Sequence, residues 1–432
     1  MLRFHQSIRP ISGHKLPVFL PSLYLHHGML TSPQRHQQQR RTLFGEPSNL
    51  PLAGTTSAAS DGIPWLFLLE IGIGFPIVLW TYKCTMMVLF QRKIIYLPFL
   101  PLGGRTETLL PAEDRSTQLE KELGGFDWAS VECTSRARST RWGREVVLRG
   151  IQVKLRPNTK KHMSSMQSST PTRSLDNESA DGLDRPVVIF YLQGNAGTPL
   201  HRLPLFRVLL NGIPNTPSTE TTVVAFAPRS YWLSTRSTPT EATFLSDYLS
   251  ALEETIRLHP QAKIILYGHS LGGAAAVLLL LRRELLPLEL RTRIKALVLE
   301  NPLPSIPYML RAIYPQRWLP YHYLGPCVFD RWDAIAQVDN MTEGSEGLKG
   351  LKTLWFRSGR DELIPTEQEE KNEGGDRVRR MYEEWKGEDK RWVDIKDALH
   401  ETAPLSKKWR DEMADIVERV RKDDQEQRVQ IM

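Results

Sequence analysis

Lys263-Ile-Ile-Leu-Tyr-Gly268-His269-Ser270-Leu271-Gly272-Gly273-Ala-Ala-Ala-Val-Leu-Leu-Leu-Leu281 is the stretch whose reading decides the fold. Its first part is β-branched and apolar, as a fully buried strand is, and its last part is an Ala- and Leu-rich helix. Between them Gly268-His-Ser-Leu-Gly272 must turn sharply. A serine on such a strand-to-helix turn is strained and leaves no room for Cβ atoms two residues either side, a demand that Gly268 and Gly272 meet. Gly273, Ala274, Ala275 and Ala276 let the helix lie close against the sheet, and its N-terminus aims backbone N–H groups at the serine. The pentapeptide alone arises by chance in roughly one chain in seven of this length. Its place between a clear strand and a clear helix is what makes Ser270 a candidate nucleophile.

Working outward, buried strands are expected at 186–192, 222–228, 296–300 and 352–357, with a last one in 392–400. A helix at 241–258 carries Phe244, Tyr248, Leu252 and Ile256 on one face. Strands alternating with helices of this length imply an α/β fold with a mostly parallel sheet covered on both faces. Strands at 128–134 and 145–155 mix charged and β-branched residues, with Val147, Arg149, Ile151 and Val153 on one face. They read as an antiparallel pair at a sheet edge. A helix is expected near 366–386 and a charged one from Leu405.

A serine nucleophile needs a base to take its proton and a carboxylate to orient that base. In a sheet of this order both should follow the serine, each at the end of a later strand. Asp361 lies four residues past the strand at 352–357, and His400 follows the last strand. Glu300, ending an earlier strand, is an alternative acid. His269 should point away from the serine into the packing beneath the turn. His259, His322 and Asp397 lack a suitable strand-end position. The backbone amides of Asn195 and Leu271 are the expected oxyanion donors, because Gly194 lets the loop after the strand at 186–192 come close. Tyr231 and Trp232 begin the neighbouring loop and are expected to line the substrate cleft. No metal-ligand cluster or phosphate-binding loop is present in the sequence, and no cofactor is called for.

The 301–340 segment is aromatic and Pro-rich, carrying Tyr308, Trp318, Tyr321, Tyr323 and Phe329. It reads either as a cap over the cleft, with Trp318 in contact with substrate, or as cover for the sheet edge. Residues 156–185 are Ser/Thr/Asn-rich with almost no apolar content, an insertion expected to be disordered.

The 432 residues suffice for one large domain plus extensions, and the net charge of +7 comes without a basic, aromatic-interleaved stripe, which argues against nucleic-acid binding. The three cysteines, Cys84, Cys133 and Cys327, are too scattered for a disulfide framework or a zinc site. Residues 1–45 hold six Lys and Arg and no acid, the composition of a mitochondrial transit peptide, or of a basic arm ahead of a membrane anchor. Residues 63–82 then form an apolar run long enough to cross a bilayer. Its eleven Leu, Ile, Phe and Val residues, at about −0.3 to −0.6 kcal/mol each, outweigh the one acid, Glu70, at about 3 kcal/mol. The expected organisation is a targeting region at 1–62, an anchor at 63–90, a Pro-rich neck at 91–127, a domain at 128–421 and a charged tail at 422–432. A single-pass membrane protein follows, mitochondrial by preference, with endomembrane or plasma membrane as alternatives.

From about residue 90 to 405 the chain resembles the membrane-anchored, abhydrolase-domain-containing α/β-hydrolases. The matching pieces are Gln193-Gly-Asn-Ala-Gly197, Arg229-Ser-Tyr231 with Pro239-Thr-Glu241, Gly268-His-Ser-Leu-Gly-Gly273, Phe329-Asp-Arg-Trp-Asp333, Ser358-Gly-Arg-Asp361 and His400. Two positions depart: Gln193 stands where relatives usually have His, and Glu401-Thr402 where they more often have Asn-Asp. The resemblance implies an α/β-hydrolase fold with a serine triad acting on acyl esters or thioesters, and in some relatives the depalmitoylation of proteins, an acyl-protein thioesterase activity. A non-catalytic scaffold binding lipid or a partner, and a serine peptidase on the same fold, are the alternatives.

Overall fold

The computed structural model describes residues 65–106, 124–139, 143–156, 185–214, 219–282, 284–342, 348–365 and 376–429. The expected targeting region (1–62) lies outside the described residues, as do residues 157–184 of the expected insertion and 366–375 of the helix expected near 366–386.

Among the described residues eight strands form one sheet: β1 (Phe126–Thr134), β2 (Val147–Leu155), β3 (Val187–Leu192), β4 (Thr221–Ala227), β5 (Lys263–His269), β6 (Ile294–Glu300), β7 (Lys352–Ser358) and β8 (Asp389–Ile395). Their order is β1-β2-β4-β3-β5-β6-β7-β8. β1 and β2 pair antiparallel to each other, β2 also pairs antiparallel with β4, and every pairing from β4 to β8 is parallel. The expected edge pair is therefore present, with β1 outermost. Within β2, Ile151 and Val153 are buried, while Arg149, in the same unbroken register, is exposed and reaches Glu132 on β1 at 2.5 Å. Every residue of β3, β4, β5 and β7 is buried, which is why these strands read as continuous apolar runs.

Helices cover both faces. Helix α4 (Glu241–Leu258) starts at the capping residue Thr240, whose side chain accepts a bond from the amide of Thr243. It packs with α5 (Leu271–Leu281), which in turn supports α8 (Ala334–Asp339). On the other face α3 (Leu203–Gly212) packs with α10 (Lys407–Val429). Helix α5 is buried from Leu271 to Leu280, so it needs apolar residues all round rather than a stripe. Short helices α6 (Leu288–Arg291), α7 (Ile306–Ile313) and α9 (Arg377–Glu384) complete the layers.

Helix α1 (Trp65–Leu89) is apolar and exposed, and its residues Phe67–Leu89 are long and apolar enough to cross a membrane. It is followed by α2 (Gln91–Ile95). The neck expected at 91–127 is partly core. Tyr96 is 1% exposed, stacks on Phe244 at 5.6 Å and receives a hydrogen bond from the Trp332 indole at 3.0 Å. Leu97 then pairs with Ala196 as a parallel bridge. The domain thus begins ahead of the boundary expected at 128, because an aromatic ring flanked by Phe244 and Trp332 is worth burying.

The end of the expected 301–340 cap is core as well, with Trp332, Ala334 and Val338 buried. The rest is α7, whose Ile306, Tyr308 and Met309 pack on the core, and two short 3-10 turns, Pro320–Tyr323 and Gly325–Cys327. The expected 422–432 tail is mostly helix, since α10 runs on to Val429.

Candidate active site

The turn between β5 and α5 is as sharp as the sequence demands. Ser270 has φ 54° and ψ −118°, a strained conformation for a residue with a Cβ. A Cβ on Gly268 would lie 2.5 Å from the Gly272 carbonyl oxygen, and one on Gly272 would lie 2.0 Å from that of Leu192. Neither position accepts another residue. The turn is pinned from both sides: the Ser270 amide donates to the Glu300 carbonyl at 3.0 Å, and the Leu303 amide donates to the Ser270 carbonyl at 3.0 Å.

Asp361 and His400, ninety and more residues away in sequence, arrive on the loops after β7 and β8. The His400 Nδ1 lies 2.9 Å from each carboxylate oxygen of Asp361. The Leu363 and Ile364 amides, at 2.9 Å each, also donate to that carboxylate, as does Arg357 Nη1 at 2.9 Å. Burial would raise the carboxyl's pKa, but the hydrogen bond and charge of His400, then Arg357 and the Ile364 amide, hold it below the usual range. Asp361 therefore stays ionised, as an orienting carboxylate must. The His400 backbone is gripped in turn: its carbonyl accepts from Asn301 Nδ2 at 2.9 Å and lies 3.2 Å from His269 Nε2, and its amide donates to Glu362 at 2.9 Å. Its Nε2 is buried and has no hydrogen-bond partner among the described residues.

The loop after β3 closes on the turn. A Cβ on Gly194 would stand 3.6 Å from the Cβ of Ser270. The Asn195 carbonyl accepts from the Leu97 amide at 3.0 Å and from the Tyr231 hydroxyl at 2.8 Å, which fixes that peptide plane. Among the described residues the amides of Asn195 and Leu271 donate to no acceptor within the fold. Tyr231 and Trp232 are both buried, Trp232 at φ 43°. Their loop is tied down by Arg229, whose guanidinium meets Asp247 at 2.6 and 2.9 Å, both side chains fully buried. Trp318 lies apart from them: it is 70% exposed, and its ring packs on Trp80 of α1 at 6.2 Å.

Glu300, the alternative acid, is engaged elsewhere. It accepts from the Tyr267 hydroxyl and from Trp409 Nε1 at 3.2 Å, while both contacts of His400 Nδ1 go to Asp361. Burial pushes its pKa up to about 7. His269 is buried as expected, but its ring lies 4.9 Å from that of His400. Burial and then the neighbouring His400 lower its pKa to about 3, so it is a neutral spacer. Among the described residues no group of three His, Cys, Asp or Glu side chains could hold a metal ion.

Sequence reasoning missed the residues that hold this arrangement. Arg357 joins Asp361 to Asp376, which it meets at 2.8 Å. Asn301, at φ 43°, bonds Ser358 through both ends of its amide. Asp247 anchors the Tyr231 loop from within α4. A charged residue just after the apolar Leu354-Trp-Phe356 of a strand, as Arg357 is, and an acid on the apolar face of a helix, as Asp247 is, were the available signals.

The sequence profile of the Alpha/beta hydrolase family matches residues 197–421. Protein bem46 of Schizosaccharomyces pombe is 30% identical over 187 residues, which make up 43% of this chain and 54% of that relative; the chain thus spans about half the length of the curated relative it matches. Among solved structures, an esterase of Pyrococcus furiosus superposes with a TM-score of 0.44 at 16% identity, covering 70% of this chain and 94% of its own. A peroxisomal alpha-beta-hydrolase of Saccharomyces cerevisiae gives 0.42 at 11% identity, over 68% of this chain and 89% of its own.

Proposed function

The chain belongs to the alpha/beta hydrolase family, and we propose that it is a membrane-anchored serine hydrolase of acyl esters or thioesters. The observation that carries this reading is the state of His400. One ring nitrogen is engaged by an ionised, fully bonded carboxylate, and the other is buried and unpartnered in a ring that lies 4.9 Å from that of His269, the residue before Ser270. With Nδ1 turned to Asp361, Nε2 is left open to take a proton from an incoming hydroxyl.

In this reading Ser270 Oγ attacks the acyl carbon as its proton passes to His400 Nε2. Asp361, kept ionised, stabilises the resulting imidazolium through Nδ1. The amides of Asn195 and Leu271 bind the oxyanion. When the tetrahedral intermediate collapses, the alcohol or thiol leaves with the proton from His400, and Ser270 remains acylated. A water, deprotonated by His400, then attacks the acyl-enzyme and frees the carboxylate and the serine. The long apolar exposed helix α1 supports attachment to a bilayer, which favours acyl substrates held at or near a membrane.

Purified full-length chain in detergent, offered ester, thioester and peptide panels together with a fluorophosphonate probe, tests the proposal. Esters or thioesters should be hydrolysed and Ser270 labelled. Labelling of another serine, or turnover of peptides alone, would overturn it.

A further inference from the structure

Beyond Ile306, Tyr308 and Met309, which pack on the core, the cap leaves several large apolar side chains at the surface. Ile313, Trp318, Tyr323 and Phe329 are 61%, 70%, 61% and 64% exposed. Singly, exposed apolar residues are ordinary; four within seventeen positions of one short segment are not. This segment is also fastened to α1 and α2. Trp318 packs on Trp80, Lys83 Nζ sits 4.5 Å above the Tyr321 ring, and Gln91 donates to the Cys327 carbonyl at 3.1 Å. Arg92 meets Asp330 at 2.9 Å.

These contacts fix a depth. If α1 spans a bilayer with the apolar run 63–82, about 30 Å of helix that ends just before Lys83, Trp80 falls at the interface where aromatic belts sit. Trp318, in contact with it, falls at the same level. Next to it lies an open cleft lined by Arg311, Arg317, His322, Tyr323 and Arg377. Arg311 and Arg317 form no ion pair among the described residues. Cations beside exposed aromatic rings at headgroup level match the chemistry of an anionic lipid surface: the rings enter the interface and the guanidinium groups bind phosphates.

We infer that the segment around α7 and the two 3-10 turns is a second membrane contact, docking on anionic phospholipid beside the spanning helix. This rests on the anchor reading above. It turns the cap's aromatic edge toward the bilayer, the source of an acyl substrate, rather than toward a closed pocket.

The test uses the full chain in nanodiscs whose lipids carry bromine at shallow acyl positions, and reads tryptophan quenching. Subtracting the signals of Trp65→Phe, Trp80→Phe and Trp318→Phe variants from that of the parent isolates each ring. All three should be quenched, Trp318 about as strongly as Trp80. In discs containing phosphatidylglycerol, an Arg311→Gln/Arg317→Gln variant should lose about threefold or more of the Trp318 component, and added salt should do the same. In phosphatidylcholine alone neither should matter. Quenching of Trp65 and Trp80 without Trp318 would overturn docking and leave the anchor standing. Unquenched Trp65 and Trp80 would overturn the anchor and docking with it. A Trp318 component indifferent to lipid charge and to the arginine pair would overturn the anionic surface as the partner. Far-UV circular dichroism keeps misfolded variants from being read.

Discussion

The loops that carry Ser270, Asp361 and His400 and the segment from α7 to Phe329 differ in how they treat charges and rings. In the first, Arg229, Asp247, Arg357 and Asp361 are buried and pair with one another. In the second, Arg311 and Arg317 point into an open cleft and Trp318 is mostly exposed. Even two tryptophans fourteen positions apart diverge: Trp332 is fully buried among Tyr96 and Phe244, while Trp318 is mostly exposed and packs on Trp80 of α1. A buried pair cannot lose one member without stranding the other, so the first region resists change. The second has little stored in it, which suits a surface that meets something else.

The sharpest break of this contrast is Ser270→Ala. Activity should fall by at least about ten-thousandfold, and probe labelling should vanish, while the urea midpoint stays within that of a surface substitution. Next, Asp247→Ala should cost about 3 to 5 kcal/mol, because it leaves the Arg229 guanidinium buried without its carboxylate. Trp332→Ala should cost a similar amount by emptying a core site. Denaturant titration of the full chain in detergent reads both, and values below about 1 kcal/mol would mean that the loops are not held as described.

A third, pH-dependent effect comes from Glu300. Its folded pKa, near 7, exceeds the usual 4.5 because of burial. The unfolded chain therefore ionises first, and the wild type should lose stability as pH rises from 4.5 through 7, then level off. Glu300→Gln has no such titration, so the difference between the two should grow by about 3 kcal/mol across that window. Parallel stability curves would place Glu300 in a wetter setting. The smallest effect is expected at the other region: Trp318→Ala should shift stability by no more than about 0.5 kcal/mol.

Much of the sheet was legible because buried strands between helices must be continuous apolar runs, and β3 to β7 are. Ser270 was legible because Gly268 and Gly272 leave a local mark. Asp361 and His400 could be placed by order along the sheet. Local pattern could not reveal that Tyr96, in a Pro-rich stretch, fills a gap left by Phe244 and Trp332, since that depends on residues well over a hundred positions away. The outward face of Trp318 was hidden for the same reason: an aromatic residue reads alike whether it lines a pocket or meets solvent. Residues such as Arg357 and Asn301 were missed because their partners, Asp376 and His400, are joined to them only by the fold.

The bridge between Leu97 and Ala196, with the Leu97 amide bonded to the Asn195 carbonyl, also bears on proteolytic shedding. Cutting the chain between Lys83 and Phe90 would free a domain that still holds Gln91, Tyr96 and Leu97, and it should remain reactive toward the probe. Cutting after Leu97 would remove the residue whose amide steadies the Asn195 peptide, and the released body should label slowly or not at all. Limited proteolysis followed by probe labelling of each fragment separates the two. If α1 is the tether proposed above, its seam with the domain lies a few residues earlier than the prolines suggest, and a cut there should leave a fragment that still labels.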